Sequence, residues 1–534
     1  MGYNNRKSVI IMPVLLACAL VLGMFVNSFF QKNNGTPSTI FQLPRAASKL
    51  DVVLNLIEKD YVDSVKAADL VEEAIPGLLK DLDPHTVYIP AKDLRAVNEE
   101  LKGNFGGIGV QFIRYQDTVA IVRVIPGGPS EIAGILAGDR IVMVNDSLIA
   151  GVKMTDKEII SRLKGPKGTP VRVGIKRRGK NELLNMELLR GSIPVPSVDI
   201  AYMLNKDLGY IKVNRFAATT YFEFSEGLQK LKDQNCKKLI IDLRGNTGGY
   251  LSEATNMINE FLPEGEMIVY TKGKSQPKTD YKSTGNGNYQ DLPIIVLIDE
   301  GSASASEIFA GAIQDNDRGK IVGRRSFGKG LVQEQRMLPD GSALRLTVAR
   351  YYTPTGRCIQ KPYNKGKADY YNDINHRFLH GEFEKADSIH FNDSLKYTTP
   401  GGNIVYGGGG IMPDVFIPVD TSGYSNYFRD LRAKGIIYQY AFAFVDKHRA
   451  EMKKLKDYKE VLNFIKSKPI VAEMVRYGAN KGVKVNSKGL KESRKIIETQ
   501  IKAYIARDMI DDEGFYPIIK DLDQTLLKAE TLFD

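Results

Sequence analysis

The chain is poor in the residues that announce a metal or redox centre. Its 534 residues include three cysteines and five histidines. Neither a C-x-x-C pair nor a His/Cys ligand spacing occurs, which argues against structural zinc. His376, His380 and His390 are scattered without a ligand pattern. Cys18 lies in an apolar segment, so Cys236 and Cys358 leave at most one disulfide. Net charge is +11, but no long basic run is interleaved with aromatics. The charge reads as solubility plus attraction to an anionic membrane surface, not as nucleic-acid binding. Histidine is also missing between His85 and His376, which matters for the serine cluster below. What is present is globular: 43% hydrophobic and 26% charged residues, enough for three or four domains of ~100–200 residues each.

The N-terminus predicts a compartment. Arg6 and Lys7 precede an apolar stretch from Val9 to Val26, which at ~18 residues reaches the lower limit of a membrane span. Basic residues before it and a polar linker after it put the bulk of the chain outside the cytoplasm. A cleaved signal peptide needs a small-x-small exit, and none convincing follows Val26. Leu15-Leu16-Ala17-Cys18 is a poor lipobox, and the apolar run continues past it. An uncleaved anchor over 1–30 fits best, in the inner membrane with the rest in the periplasm.

Four soluble parts follow. Residues 31–103 read as a linker and a helical region, with Leu54, Ile57, Tyr61, Leu70, Ala74 and Leu78 at helical spacing until Asp83-Pro84-His85 breaks the pattern. Residues 104–190 carry Gly106-Gly107-Ile108-Gly109-Val110, strand-like alternation and Gly138-Asp139-Arg140-Ile141. Residues 191–425 read as α/β. The runs Leu239-Ile240-Ile241 and Ile294-Ile295-Val296-Leu297-Ile298 are buried parallel strands, each followed by a glycine- or serine-rich turn and a helix. Ligands in such sheets sit beyond the carboxyl ends of the strands. Within this part, 364–406 is polar, aromatic and loop-like. Residues 426–534 are lysine-rich and helical with no chemical motif, and predict a packing or assembly domain.

The chemistry gathers in three turns. Ser304 lies in Gly301-Ser302-Ala303-Ser304-Ala305-Ser306-Glu307, at a strand-to-helix turn. The Ala305 amide and the helix dipole suit a developing oxyanion, worth about 10²–10³ in rate per donor. A second donor is expected from Gly248 or Gly249, where glycine permits close backbone approach. Ser304-Ala305-Ser306-Glu307 also fits a capping box, which leaves the other serines unexplained. With no histidine at hand, the base is Lys329 in Phe327-Gly328-Lys329-Gly330. Its ordinary pKa of ~10.4 must be lowered by burial. Gln333, at an even offset along an extended strand, shares the face of Lys329 and is placed to orient its amine. Gly323 to Lys329 matches the start of a phosphate-binding P-loop, but Gly330 replaces the Ser or Thr that would bind magnesium. Asp315 shares a helix face with Ser304 but lies ~16 Å away, so it either orients another group or simply ends the helix.

Two resemblances can be read from these motifs. The Gly-Ile-Gly-Val loop and the Gly-Asp-Arg-Ile run resemble a PDZ domain, which implies that Ile108, Gly109 and Val110 hold a C-terminal carboxylate while the next strand edge pairs with the peptide. Over about residues 50–420 the chain resembles the carboxy-terminal processing (tail-specific) proteases. The further motifs are Asp242-Leu243-Arg244-Gly245-Asn246-Thr247-Gly248-Gly249, Tyr351-Tyr352-Thr353-Pro354-Thr355-Gly356-Arg357 and Gly410-Ile411-Met412-Pro413-Asp414. The resemblance implies a crotonase/ClpP-like α/β core with an inserted PDZ domain, Ser304 as nucleophile, Lys329 as base and Gln333 as its orienting partner. It implies Gly249 and Ala305 as the oxyanion hole, Asp315 as a supporting aspartate, and no cofactor or metal. The expected substrates are proteins with exposed apolar C-terminal tails, and the helical regions offer a route to homo-oligomers. The alternative is a catalytically inactive PDZ-containing scaffold or holdase. Residues 361–409 and the lysine-rich tail depart from the family pattern.

Overall fold

The computed structural model describes residues 45–389 and 392–533. The apolar stretch 9–26, Cys18 and His390 lie outside the described residues. No helix among the described residues is long and apolar enough to cross a membrane. The chain divides into two compact units between Leu78 and Leu79. The first contains the helices Arg45–Asp60 and Ala67–Leu78, which leave Leu50, Val52, Val53 and Leu56 exposed. The region expected to run from 31 to 103 is thus divided. The physical reason is the strand Val87–Ile89, which pairs antiparallel with Ala343–Tyr352 deep in the second unit.

The second unit is built on a six-stranded sheet. Its strands, in spatial order, are Val198–Met203, Leu208–Val213, Lys238–Asp242, Ile294–Ile298, Lys320–Gly323 and Val415–Phe416. All neighbours are parallel except the first pair. Continuous apolar runs fit strands covered on both faces. Leu239, Ile241, Val296, Ile298 and Ile321 meet the helices Thr220–Lys232, Leu251–Asn259 and Ala305–Asp315 through Phe224, Leu228, Met257, Phe309 and Ile313. The alternate residues Ile240, Ile295, Leu297 and Val322 meet Leu526 and Ala529 of the helix Gln524–Glu530. Beside this layer lies an antiparallel sheet of Val87–Ile89, Met267–Lys272, Thr279–Lys282, Leu331–Met337 and Ala343–Tyr352. The expected parallel sheet is therefore accompanied by an antiparallel one.

Residues 104–190 leave this core through a two-stranded stalk, Asn104–Gly107 paired with Gly191–Pro194. They form an antiparallel sheet with its own core of Ile108, Val119, Ile121, Ile141, Val173 and Ile175. The C-terminal helices, from Asn426–Ala433 to Gln524–Glu530, also have their own core. They hold the inserted domain from outside. Phe442 is buried against Ala120 and Val122, Arg140 pairs with Asp446 at 2.9 Å, and Arg123 pairs with Asp511. The segment 364–406 is not the expected loop, because it contains the helix Lys367–Leu379. Tyr370 is 1% exposed and anchors that helix in an aromatic contact with Phe327.

Candidate active site

The strand Ile294–Ile298 ends in a turn that presents Ser304 at the start of the helix Ala305–Asp315. Ser304 has φ 57° and ψ −113°, a conformation that strains any residue with a Cβ and must be held by its surroundings. Ser302 Oγ donates to the Leu243 carbonyl at 2.8 Å. Ser306 Oγ donates to the Asn246 carbonyl at 2.8 Å, which also accepts from Ala303 N–H at 3.0 Å. The two flanking serines are thus fully buried staples, and the middle one is partly exposed. This explains the three alternating serines.

The staples bind the turn to the loop Leu243–Gly249. Gly248 has φ 97° and lies so near that a Cβ there would sit 2.7 Å from Ser304 Cβ and 2.9 Å from Ala305 N. A Cβ on Gly249, at φ 149°, would sit 2.1 Å from the Phe216 carbonyl oxygen. Among the described residues, the Gly249 and Ala305 N–H groups have no acceptor. Two free amides beside one serine match what an oxyanion needs.

Glu307 joins this turn to the lysine loop. It is fully buried and accepts four hydrogen bonds. Its Oε2 takes the N–H groups of Ser304 and Lys329, each at 2.8 Å. Its Oε1 takes Ser326 Oγ at 2.5 Å and Gly328 N–H at 2.7 Å. Sharing one oxygen keeps the backbone nitrogens of Ser304 and Lys329 within twice the length of one hydrogen bond. The hydroxyl of Tyr351 lies against the carbonyl oxygens of the same two residues, 3.1 Å from that of Ser304. Burial drives the Glu307 pKa up to about 7, against its four hydrogen bonds. The sequence showed Glu307 only as half of a capping box; its second oxygen faces a loop that a local motif does not reveal.

Lys329 has its pKa lowered, first by burial and then by Arg345, while Glu307 and Asp83 oppose the shift. Asp83 is 8% exposed and accepts from Thr86 Oγ1 at 2.5 Å and Thr347 Oγ1 at 2.8 Å. Burial raises its pKa, but these two hydrogen bonds, with those from the His85 and Thr86 N–H groups, outweigh it and leave the net shift downward. His85 is pushed down to about 4 by burial and by the Lys329 charge, and its Nε2 lies 2.9 Å from Tyr370 Oη. The sequence marked Asp83-Pro84-His85 only as a helix break. Gln333 is not seen on Lys329. Its amide donates to Thr347 Oγ1 at 3.3 Å, on the residue opposite it in the ladder with Ala343–Tyr352, while Lys329 precedes the strand Leu331–Met337. Asp315 lies away from Ser304 in a fully buried ion pair with Arg357 at 2.6 Å. It also accepts from Thr355 Oγ1 at 2.6 Å, fixing the turn that follows Tyr352.

In the inserted domain, Gly109 adopts φ 79° between the buried Ile108 and Val110, which opens the strand Val110–Tyr115. That strand is an edge, paired among the described residues only with Thr118–Val124. The start of the helix Asp156–Leu163 lies beside it, since Arg114 reaches Met154 O at 2.8 Å and Asp156 at 3.5 Å. An edge strand opening from a glycine loop and flanked by a helix suits an added peptide strand.

Comparison with known proteins bears on the family. Residues 207–367 match peptidase family S41, and 106–188 match the PDZ domain. Residues 26–93 match the activating protease CtpB N-terminal domain, and 427–511 match a family of unknown function. The chain is 37% identical over 332 residues to the carboxy-terminal-processing protease of Bartonella bacilliformis, covering 61% of this chain and 74% of that protein. It is 32% identical over 356 residues to the carboxy-terminal processing protease CtpA of Bacillus subtilis, covering 66% and 74%. A solved photosystem II D1 C-terminal processing protease aligns over 69% of this chain and 92% of its own at 24% identity, with a TM-score of 0.35, too low to carry an argument. The fold, the inserted domain and the curated relatives agree, and the chain belongs to peptidase family S41 as a serine-type carboxy-terminal processing protease with a PDZ domain.

Proposed function

We propose that the chain is an envelope endopeptidase that captures apolar C-terminal tails with its PDZ domain and cleaves upstream peptide bonds with a Ser304/Lys329 dyad. The observation that carries this reading is the double tie between the two backbones. Glu307 accepts from both N–H groups, and Tyr351 Oη lies against both carbonyls. Neutral Lys329 takes the hydroxyl proton as Ser304 Oγ bonds to the substrate carbonyl carbon. The oxyanion is held by Gly249 and Ala305 N–H. Its collapse breaks the C–N bond, and the leaving amine takes the proton from Lys329. Water then gives a proton to Lys329 and attacks the acyl ester, and Ser304 recovers its own proton as the ester breaks. The lowered Lys329 pKa supports its part as base, since the neutral amine becomes accessible at lower pH.

The Ile108–Val110 loop and its open edge strand support carboxylate capture, while the basic-then-apolar N-terminus supports anchoring from the cytoplasmic side. The dyad predicts that Ser304→Ala and Lys329→Ala each lower kcat on an unstructured protein with an apolar tail by at least about 10³-fold. Full activity in either variant would sink the dyad, whereas a wild-type chain without Ser304-dependent cleavage would favour the scaffold reading. Amidating the tail is expected to raise KM, and an unchanged KM would refute capture by Ile108–Val110. Envelope placement predicts digestion of the folded part by protease added to spheroplasts, and protection there would overturn it.

A further inference from the structure

The loop that supplies Gly249 is held from behind by a residue outside the family's own segment. Arg244, five positions before Gly249, holds Asp242 with Nη2 at 2.6 Å and Nε at 3.0 Å. On its other side it meets Asp523, Nη1 to Oδ1 at 2.8 Å and Nη2 to Oδ2 at 2.5 Å. Lys212 Nζ completes the cluster, 2.5 Å from the Arg244 carbonyl and 3.2 Å from Asp242 Oδ1. Two carboxylates and two cations thus meet on the wall of a cavity of about 290 Å³ that Tyr202, Asp299, Arg324, Tyr516 and Lys520 also line.

Asp523 is itself firmly placed. It caps the helix Gln524–Glu530, accepting from Leu526 N–H at 3.0 Å. Leu526 and Ala529 of that helix are 2% and 0% exposed, packed on Ile240, Ile295, Leu297 and Val322 of the central sheet. A side chain locked by a cap and by its helix's burial can fix the partner it grips, as a bidentate arginine–carboxylate pair sets angle as well as distance. Residue 523 lies beyond the 207–367 match to peptidase family S41 and beyond 511, where the match to the family of unknown function ends.

We propose that Asp523 is a positioning residue for the oxyanion-hole loop. By gripping Arg244 from the C-terminal helix, it holds the turn 244–249 so that Gly249 N–H faces the Ser304 site. This rests on the reading of Gly249 as an oxyanion donor. Without Asp523, Arg244 is left with Asp242, which it shares with Lys212, and its guanidinium loses the tie to the C-terminal helix. Misplacing one donor slows the reaction without weakening substrate binding equally.

The test uses the full chain with Asp523→Asn, which keeps shape and loses charge, and Asp523→Glu, which keeps the charge. In Asp523→Asn, amide hydrogen exchange at 244–249 is expected to quicken about tenfold while the strand Lys238–Asp242 stays protected. With the same variant kcat falls about tenfold and KM stays within a factor of about two. Asp523→Glu recovers most of both. Unchanged exchange at 244–249 in Asp523→Asn overturns the inference, as does an equal quickening through Lys238–Asp242, which marks a merely structural role. Wild-type kcat in Asp523→Asn also overturns it, provided Ser304→Ala abolishes cleavage. If the wild-type chain shows no Ser304-dependent cleavage, the dyad fails separately, and the exchange readout still decides the grip of Asp523 on the loop.

Discussion

Glu307 takes four donors and offers none of its own when ionised, so all four contacts favour the carboxylate. Burial works the other way and brings its pKa to about 7. A folded pKa above the ordinary value of 4.5 means that this group stabilises the fold when protonated, and that the contribution is lost as pH rises from 4.5 through about 7. Lys329 feels the same charge, since ionised Glu307 raises the lysine pKa against the lowering effect of burial. Glu307→Gln removes that charge and turns an NH₂ toward two donors. The acid-side limb of the kcat/KM profile should therefore move to lower pH, because Lys329 loses its proton more easily. The plateau should fall by about 10–100-fold, since the amide no longer holds both backbones, each unmet buried donor costing about 1–3 kcal/mol. Thermal stability measured between pH 4.5 and 7 should lose the part of its slope that Glu307 supplies. A limb that moves to higher pH, or a plateau at the wild-type level, would refute this account.

At the level of elements, the turns carry the site. Gly248 and Gly245 separate the two ways in which a glycine matters. Both have positive φ, 97° and 70°, so alanine strains either by about 1 kcal/mol or more. A Cβ on Gly245 meets nothing within 4 Å, whereas on Gly248 it lies 2.7 Å from Ser304 Cβ. Gly248→Ala should therefore lower kcat by about 10²-fold or more by shifting Ser304, and Gly245→Ala should cost stability with little change in kcat. Equal kcat in the two variants, measured on folded protein, would sink the contact argument. These turns were legible in the sequence because apolar strands end in glycine or serine and resume as helix, a local pattern. What escaped depends on tertiary contacts. Gln333 was matched to Lys329 by strand parity, but Lys329 lies before the strand, which starts at Leu331, and the Gln333 amide reaches Thr347 on the neighbouring strand. The helix Lys367–Leu379 was hidden because only Tyr370 and Arg377 of it are buried, too few for an apolar period. The Asp315–Arg357 pair ties the end of the helix Ala305–Asp315 to the turn after the strand Ala343–Tyr352, and no spacing rule brings those residues together.

For the whole molecule, the C-terminal domain does more than pack on itself. It covers the second face of the central sheet and also grips the PDZ domain. The PDZ domain keeps its own core and is joined to the protease core through the two-stranded stalk, so it should stay folded when the grip is loosened. Phe442 is the apolar centre of that grip: it is fully buried, with the Tyr115 ring 5.5 Å away and the Arg140 guanidinium 5.6 Å from its own. The ion pairs Arg140–Asp446 and Arg123–Asp511 flank it, and partly exposed pairs of this kind contribute only about 0–1 kcal/mol each. Truncating a buried phenylalanine costs about 3–5 kcal/mol, so Phe442→Ala should release the domain where an ion-pair variant such as Asp446→Asn would not. The expected result is new proteolytic cleavage at the stalk segments 104–107 and 191–194 and a larger radius of gyration by solution scattering, with the PDZ core still protected from amide exchange. An unchanged cleavage pattern and radius in Phe442→Ala would mean that the stalk alone fixes the domain. Release in Asp446→Asn but not in Phe442→Ala would mean that charge, not burial, holds it.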